Sequence, residues 1–243
     1  MEIDGAAPDA ESMLRGRLGN YGHFTAMQVR GGRVRGPHAH LDRLATGQRE
    51  LYDAELDRDL VRRHVAHALE GIADASVRVV FFGLDEPRLM VSVDEPYTRL
   101  DPPQALMPVD YARPAAHLKH LGGFGQVWHA RRAGRAGYDD ALLTTSDGVV
   151  VESSIANIAF LDDTGVVWAE ADWLHGTTMR LLEENHPSRR AVVRLADLRS
   201  YRAAFLANSR GIAPVSRIGD VEFAVDPLAD VRAAYDAVPW EEF

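Results

Sequence analysis

Several features are absent from this chain of 243 residues, and each absence excludes a class of protein. There is no cysteine, so disulfides, thiolate nucleophiles and cysteine-ligated metals are excluded. There is no run of about 18 apolar residues, so we expect no membrane span. The first five residues carry neither the basic segment nor the apolar core of a signal peptide. We therefore expect a cytoplasmic protein.

Acidic residues outnumber basic ones, 36 to 27. The net charge is -9 at pH 7, and the arginines form no run long enough to make a basic face. Nucleic acids and anionic membranes attract proteins mainly through such faces, so neither is expected as a partner. An anionic ligand would have to be held by a local site.

Lysine is the rarest charged residue. Lys119 is the single lysine among 27 lysine and arginine residues. Arginine would serve equally well as a solvated cation, whereas only the lysine amine can lose its proton and attack a carbonyl. A composition biased toward arginine could also leave one lysine by chance. Lys119 is therefore a candidate nucleophile, and the surrounding residues must decide between a chemical role and chance.

The first half of the chain contains patterns of both strands and helices. Residues 24–29 and 33–34 flank Gly31-Gly32 and predict a hairpin. Apolar stripes predict helices from about 38 to 53 and from about 56 to 72, and residues 77–82 and 89–93 predict two strands. The prolines between residues 96 and 114 indicate an extended connector, which is the best candidate for a domain boundary.

The second half is richer in strand patterns. Helices are expected at about 125–137 and 176–185. The sequence predicts strands at residues 141–145, 149–152, 156–161, 166–169, 191–195, 203–207 and 213–217. The fold class expected from these elements is α+β, with much antiparallel sheet in two unequal lobes.

Two polar residues follow apolar strand patterns in this half. Glu152 ends the run Val149-Val150-Val151, so it lies either at the rim of the sheet or inside with a cationic or N–H partner. Asn157 comes five residues later, before another apolar strand. Two polar groups are thus expected near the ends of adjacent strands.

Two segments and one arginine are candidates for binding an anion. Gly176-Thr177-Thr178 opens a predicted helix, where main-chain N–H groups and hydroxyls can face a phosphate, although threonine also caps helices without any ligand. Asn208-Ser209-Arg210 is a similar polar loop with the same two interpretations. Arg43 lies off the apolar stripe of its helix, so it is either a solvated arginine or a phosphate ligand. No set of histidines has the spacing of a metal site, so no metal is expected.

Taken together and in this order, these residues resemble the class IV aminotransferase family, the fold type IV pyridoxal-phosphate enzymes. That family includes branched-chain and D-amino acid aminotransferases and aminodeoxychorismate lyase. Each motif is weak alone, but the ordered set is specific and covers nearly the whole chain. The motifs are Ile3-Asp4-Gly5, Phe24-Thr25, Gly31-Gly32-Arg33, His40-Leu41-Asp42-Arg43-Leu44, Lys119, Asp140-Ala141-Leu142-Leu143, Asp147-Gly148, Glu152 with Asn157-Ile158, Gly176-Thr177-Thr178 and Pro214-Val215.

The resemblance implies an architecture, a cofactor and residue roles. It implies a D-amino acid aminotransferase-like architecture with a smaller lobe at residues 1–110, a linker at 111–118 and a larger lobe at 119–243 that holds pyridoxal 5'-phosphate (PLP). Lys119 would form the Schiff base, and Glu152 would face the pyridine nitrogen. The remaining cofactor-binding residues would be Arg43, Thr177, Thr178 and Ser209 at the phosphate, together with Asn157.

The resemblance implies a transaminase acting on a small amino acid and a 2-oxo acid, in a homodimer. Two alternatives stay open. Lys119-His120-Leu121 looks most like the lyase branch, which would release pyruvate, yet Gly122-Gly123 stands where that branch carries a polar residue. A non-catalytic binding protein is the other alternative, because residues 83–87 form a short turn where family members usually carry a longer loop. In several members that loop helps to bind the substrate carboxylate.

Overall fold

The computed structural model describes residues 1–97 and 102–243, with the main chain alone at residues 12 and 15–18. The chain divides into two compact units. The N-terminal unit comprises Met1–Thr98, Leu118–Gly122 and Pro239–Phe243, and the C-terminal unit comprises Arg99–His117 and Gly123–Val238.

Helices and strands occur in both units, which confirms the mixed α and β class. In chain order the elements are β1 (Glu2–Ile3), α1 (Ala10–Gly19), β2 (Gly22–Val29), β3 (Val34–Arg35), α2 (Pro37–Tyr52), α3 (Arg58–Ala68), β4 (Ala75–Phe82), β5 (Arg88–Asp94), β6 (Gln104–Asp110), α4 (Phe124–Arg135), β7 (Asp140–Thr144), β8 (Val150–Ser153), β9 (Asn157–Asp162), β10 (Gly165–Ala169), α5 (Thr177–Asn185), β11 (Ser188–Ala191), a 3-10 helix (Leu195–Ser200), β12 (Ala203–Asn208), β13 (Gly211–Ile218), β14 (Val221–Glu222), α6 (Ala229–Ala237) and β15 (Trp240–Glu241).

The N-terminal unit is built on a four-stranded antiparallel sheet in the order β1-β5-β4-β2. Along β2 the side chains alternate, so that Met27 and Val29 are buried while Ala26 and Gln28 are half-buried. The buried side chains of β2 form one hydrophobic cluster with Leu41 of α2, and α3 contributes to the same cluster. Helix α2 is thereby held against strand β2.

The starts of these two helices have clear chemical causes. Pro37 occupies the first turn of α2, where its missing N–H costs no hydrogen bond. At α3, the Asp57 side chain accepts a hydrogen bond from Leu60 N at 2.8 Å and so caps the helix. Helix α3 is shorter than the predicted 56–72, and Ile72 beyond its end is 41% exposed.

The C-terminal unit is built on a nine-stranded sheet in the order β11-β10-β9-β12-β13-β6-β7-β8, with β14 paired to β13. The central strands are buried on both faces. In β9, Ile158 and Phe160 belong to one hydrophobic cluster, whereas Ala159 and Leu161 belong to another. Strands with two buried faces have continuous apolar sequences, which is why the pattern here does not alternate.

The structure corrects the expectation of an extended connector between residues 96 and 114. Residues Gln104–Asp110 form β6, which lies parallel to β7 and β13 within the sheet. Pro108 pairs with Leu142 in this register. A proline removes only one main-chain donor, while Leu106 and Val109 of the same strand are buried. The apolar residues therefore determined the strand despite the proline.

Other differences concern the ends of the chain and residues 188–200. Helices α1 and α6 lie in segments without a clear pattern of secondary structure in the sequence. The strand predicted at 191–195 is wrong, because β11 spans Ser188–Ala191 and a 3-10 helix begins at Leu195. Residues 118–122 were expected at the end of the linker and the start of the larger lobe, but they group with the N-terminal unit because they hydrogen-bond to β2. In the described part of the chain, no helix combines the length and apolarity needed to cross a bilayer.

Candidate active site

The segment that carries Lys119 lies along the edge of the N-terminal sheet. Phe24 N donates a hydrogen bond to Lys119 O at 2.9 Å, and Leu121 N donates to Gly22 O at 2.9 Å. The Lys119 amine lies 4.9 Å from the centre of the Phe24 ring. A Cβ at Gly22 would lie 2.0 Å from Phe81 O, so this crowded position requires glycine. The main chain of the lysine is thus fixed by strand β2, and its half-buried side chain lies beside the aromatic ring.

A buried histidine belongs to the same region. His40 of α2 is 3% exposed, and its Nδ1 lies 2.7 Å from Thr25 Oγ1 of β2. Burial lowers the pKa of His40 to about 3, helped by the positive charges of Arg43, His38 and Lys119. His40 is therefore neutral at physiological pH. Lys119 and Arg43, both predicted site residues, share this positively charged neighbourhood.

In the C-terminal unit, Glu152 is paired with an arginine. The Glu152 and Arg113 side chains are 7% and 5% exposed, and Arg113 Nε donates to Glu152 Oε1 at 3.1 Å. A second arginine nitrogen donates to Ala116 O. Leu174 N approaches Glu152 Oε2 at 3.4 Å. Of the two positions open to Glu152, the buried one with a cationic partner is found, since the guanidinium compensates its negative charge.

Asn157 contacts the loop that precedes α5. Its Nδ2 donates to Leu174 O at 2.7 Å. A Cβ at Gly176 would lie 1.9 Å from Asn157 Oδ1, so only glycine fits at the start of the helix. Gly176 adopts an extended conformation, and Thr177 begins the helix. The asparagine thereby contacts the main chain of residues 174 and 176, which leads into α5.

The two threonines at the start of α5 differ in their contacts. Thr178 Oγ1 donates to Asn208 O at 2.7 Å, which joins α5 to the turn that contains Ser209 between β12 and β13. Thr177 is 5% exposed, and the described residues offer its hydroxyl no hydrogen-bond partner. The Thr178 hydroxyl is therefore occupied by the protein, while that of Thr177 remains available.

The family model described as amino-transferase class IV matches residues 22–218. The chain belongs to this family. A search of the curated proteins found no match.

Solved structures agree with this membership. A hypothetical aminotransferase from Mycobacterium tuberculosis in its PLP-bound form is 24% identical with a TM-score of 0.80, and the match covers 92% of this chain and 90% of that one. The 4-amino-4-deoxychorismate lyase from Pseudomonas aeruginosa is 25% identical with a TM-score of 0.79, and the match covers 97% of this chain and 96% of that one. The branched-chain aminotransferase from the archaeon Thermoproteus uzoniensis with norvaline is 18% identical with a TM-score of 0.84, and the match covers 97% of this chain and 92% of that one. The expected family and fold type IV architecture are confirmed, and membership supports PLP as the cofactor.

The predicted site residues fall into two groups, each within one unit. Lys119 and Arg43 belong to the N-terminal unit. The C-terminal unit contains Glu152, Asn157, Thr177, Thr178 and Ser209, which are connected through the main chain of Leu174, Gly176 and Asn208. Their roles toward a cofactor stay predictions.

Two contributors to the site were not predicted from the sequence. Arg113 carries no distinguishing pattern, although a buried Glu152 was expected to have a cationic or N–H partner. Leu174 acts through its main chain alone, for which the side-chain identity gives no signal. Within residues 1–97 and 102–243, there is no group of three or more metal-binding side chains that could hold an ion.

Proposed function

We propose that the protein binds PLP and transfers an amino group between a small amino acid and a 2-oxo acid. The observation that carries this proposal is the placement of Lys119. It is the single lysine of the chain, its main chain is hydrogen-bonded to β2, and it lies inside the segment matched by the family. An amine held in this way suits attachment to a carbonyl carbon.

The chemistry of the other groups suits PLP. Glu152 offers a buried carboxylate for a protonated pyridine nitrogen. Arg43 and the hydroxyl of Thr177 suit a phosphate, and so do the N–H groups of the first turn of α5, which no side chain of Gly176 caps. When bound, PLP supplies a ring that stabilises negative charge on the α-carbon of the substrate. Lys119 can then take up and return the α-proton.

A lyase reaction that releases pyruvate is the second candidate. It is favoured by the run Lys119-His120-Leu121 and by the similarity to the Pseudomonas aeruginosa lyase structure. In either reaction Lys119 moves the proton, so the structure of the lysine segment supports both. The difference lies in the substrate and the bond that breaks.

A spectroscopic experiment tests the cofactor proposal first. Purified protein is mixed with PLP, its absorbance spectrum is recorded, and the mixture is reduced with borohydride. We expect a coloured complex and an adduct on Lys119 that intact-mass and peptide analysis detect. A colourless protein without an adduct would instead support a non-catalytic binding protein.

Product analysis then separates the two reactions. The transaminase requires both an amino donor and a 2-oxo acid, and it yields one new amino acid for each donor consumed. Release of pyruvate and an aromatic amine from one substrate, without a 2-oxo acid acceptor, would contradict the transaminase and support the lyase.

We also propose that the protein forms a homodimer. The supporting observation is a set of exposed apolar side chains in the C-terminal unit: Phe124, Val127 and Trp128 of α4, together with Ile155. The three side chains of α4 share one helix face by their spacing, and exposed apolar faces are typical of protein interfaces. Light scattering coupled to size-exclusion chromatography should give twice the mass of the chain, and the variant Phe124→Glu should shift the protein toward monomer.

A further inference from the structure

The main chain of Leu174 connects two polar side chains of the C-terminal unit. Its N–H group approaches Glu152 Oε2 at 3.4 Å, and its C=O group accepts a hydrogen bond from Asn157 Nδ2 at 2.7 Å. The next contact of Asn157 is at Gly176, where a Cβ would lie 1.9 Å from Oδ1. Both ends of the asparagine amide therefore contact the loop 174–176.

This arrangement leaves Asn157 poorly suited to touch a ligand. The residue is 6% exposed, and its amide is oriented by the hydrogen bond at one end and by close contact at the other. A direct phosphate ligand must instead present a donor on an accessible surface. The loop itself fulfils that condition, since Gly176 is half-buried and the first turn of α5 begins at Thr177.

We infer that Asn157 is a positioning residue, which acts on the phosphate of the cofactor through the main chain of residues 174–176 and does not contact the phosphate. The inference rests on the proposed binding of PLP. In this arrangement the asparagine sets where the N–H groups at the start of α5 point. One buried amide thus orients the loop that would hold the phosphate.

The substitution Asn157→Asp tests this role with a minimal change of size. It removes the Nδ2 donor and places a negative oxygen near Leu174 O, so the loop should shift. Partners that orient the ligands of a metal typically contribute about 10–100-fold to affinity, and we use the same range for a residue that orients phosphate-binding N–H groups. We expect the Kd for PLP to rise by about that factor, while the Kd for pyridoxal, which lacks the phosphate, changes less than about twofold. Both are measured on cofactor-free protein by fluorescence quenching.

The matched control is Asn185→Asp. Asn185 Nδ2 also donates to a main-chain oxygen, Leu181 O at 2.8 Å, but at the other end of α5. This variant should leave both dissociation constants unchanged. Equal losses for PLP and pyridoxal in Asn157→Asp would overturn the inference, because they would indicate contact with the ring or a general loss of structure. An unchanged PLP affinity would overturn it as well.

Hydrogen exchange measures the loop without relying on cofactor binding. In the protein as purified, Asn157→Asp should accelerate exchange of the amides at residues 174–178, and Asn185→Asp should not. If wild-type protein fails to bind PLP, the proposed function is wrong. The rates of hydrogen exchange still show whether Asn157 positions the loop. Unaltered exchange in Asn157→Asp would refute the positioning role even if PLP binds.

Enlarging the side chain at Gly176 and shortening the one at Asn157 test their contact independently. Gly176→Ala should raise the Kd for PLP in the presence of Asn157, because the new methyl group meets Oδ1. In an Asn157→Ala background the same substitution should have a much smaller effect, which would show as coupling in a double-mutant cycle. Additive effects of the two substitutions would contradict direct contact between side chain and loop.

Discussion

The region around Lys119 and the region around Glu152 hold their polar groups in different ways. Lys119 is fixed by main-chain hydrogen bonds to β2, and the buried histidine in its neighbourhood is neutral. Glu152 is fixed by its own side chain, which is paired with Arg113 and approached by Leu174 N. We interpret the difference through the proposed roles. A group that must change its bonding partners during turnover is anchored by its main chain, whereas a group that must keep a constant charge is anchored by its side chain.

The largest effect is expected on the lysine side. Lys119→Arg keeps the charge but removes the nucleophile, so amino transfer should fall by at least about a thousandfold. The borohydride adduct should disappear as well, which intact-mass analysis can verify because the chain has no other lysine. The variant also serves as the control for reaction at the terminal amine. Retained turnover in Lys119→Arg would mean that the proposed catalytic role is mistaken.

The next effect concerns the buried ion pair. Arg113→Met leaves the Glu152 carboxylate buried without its cationic partner, which should lower the free energy of unfolding by about 3–5 kcal/mol. Urea titration of the variant and the wild type measures the difference. The double variant Arg113→Met with Glu152→Leu should recover most of this stability, since two apolar side chains need no compensation, but it should not bind PLP tightly. A double variant as unstable as the single one would show that packing, not charge, is responsible.

The pH dependence of stability tests two buried histidines of the N-terminal unit, His40 and His23 of β2, which is 1% exposed and whose Nε2 lies 3.2 Å from Gln48 Oε1. Burial lowers the pKa of His40 to about 3 and that of His23 to about 4. Unfolded histidine has a pKa of about 6.5, so below that pH the unfolded chain binds more protons and stability falls as pH decreases. Each histidine should lower stability by about 2 kcal/mol at pH 5 relative to pH 7.5.

Urea titrations at the two pH values check this expectation. His40→Asn should reduce the loss of stability on acidification by about 2 kcal/mol. The exposed His38 of the same helix offers a matched control, and His38→Asn should leave the pH dependence as in the wild type. If His40→Asn retains the full acid sensitivity, the buried histidine is not its source.

The smallest effect distinguishes the two threonines of α5. Thr178→Val removes the hydrogen bond to Asn208 O and should cost about 1 kcal/mol of stability, with a minor loss of PLP affinity. Thr177→Val removes a hydroxyl that the described residues do not bind, so stability should hardly change while PLP affinity falls. Urea titration and PLP titration of both variants give the four values. If both variants lost the same stability and the same PLP affinity, the two hydroxyls would not have the different roles proposed for them.

Local patterns were sufficient for most of the elements that carry site residues. The helix that carries Arg43, the strand that carries Glu152 and the helix start after Gly176 follow from apolar periodicity and glycine. The hairpin expected around Gly31-Gly32 is not formed as a strand pair, because β2 pairs with β4 and β3 with β15, and a single bridge joins Arg30 to Arg33. Strand β6 did not follow, because its proline and the prolines nearby dominate the local pattern. Its burial between β7 and β13 depends on residues distant in the sequence.

The sequence by itself determined the candidate chemistry. A single lysine, an arginine, a carboxylate and a Gly-Thr-Thr helix start are among the residues whose resemblance predicted the family, and the family model that matches residues 22–218 confirmed it. Only the tertiary structure decided how those groups are held. Arg113 faces Glu152 across 39 positions of sequence, and Asn157 binds the carbonyl of Leu174, which any residue would supply. Such contacts depend on the packing of strands and loops that are not neighbours in the chain, and main-chain groups carry no mark in the sequence.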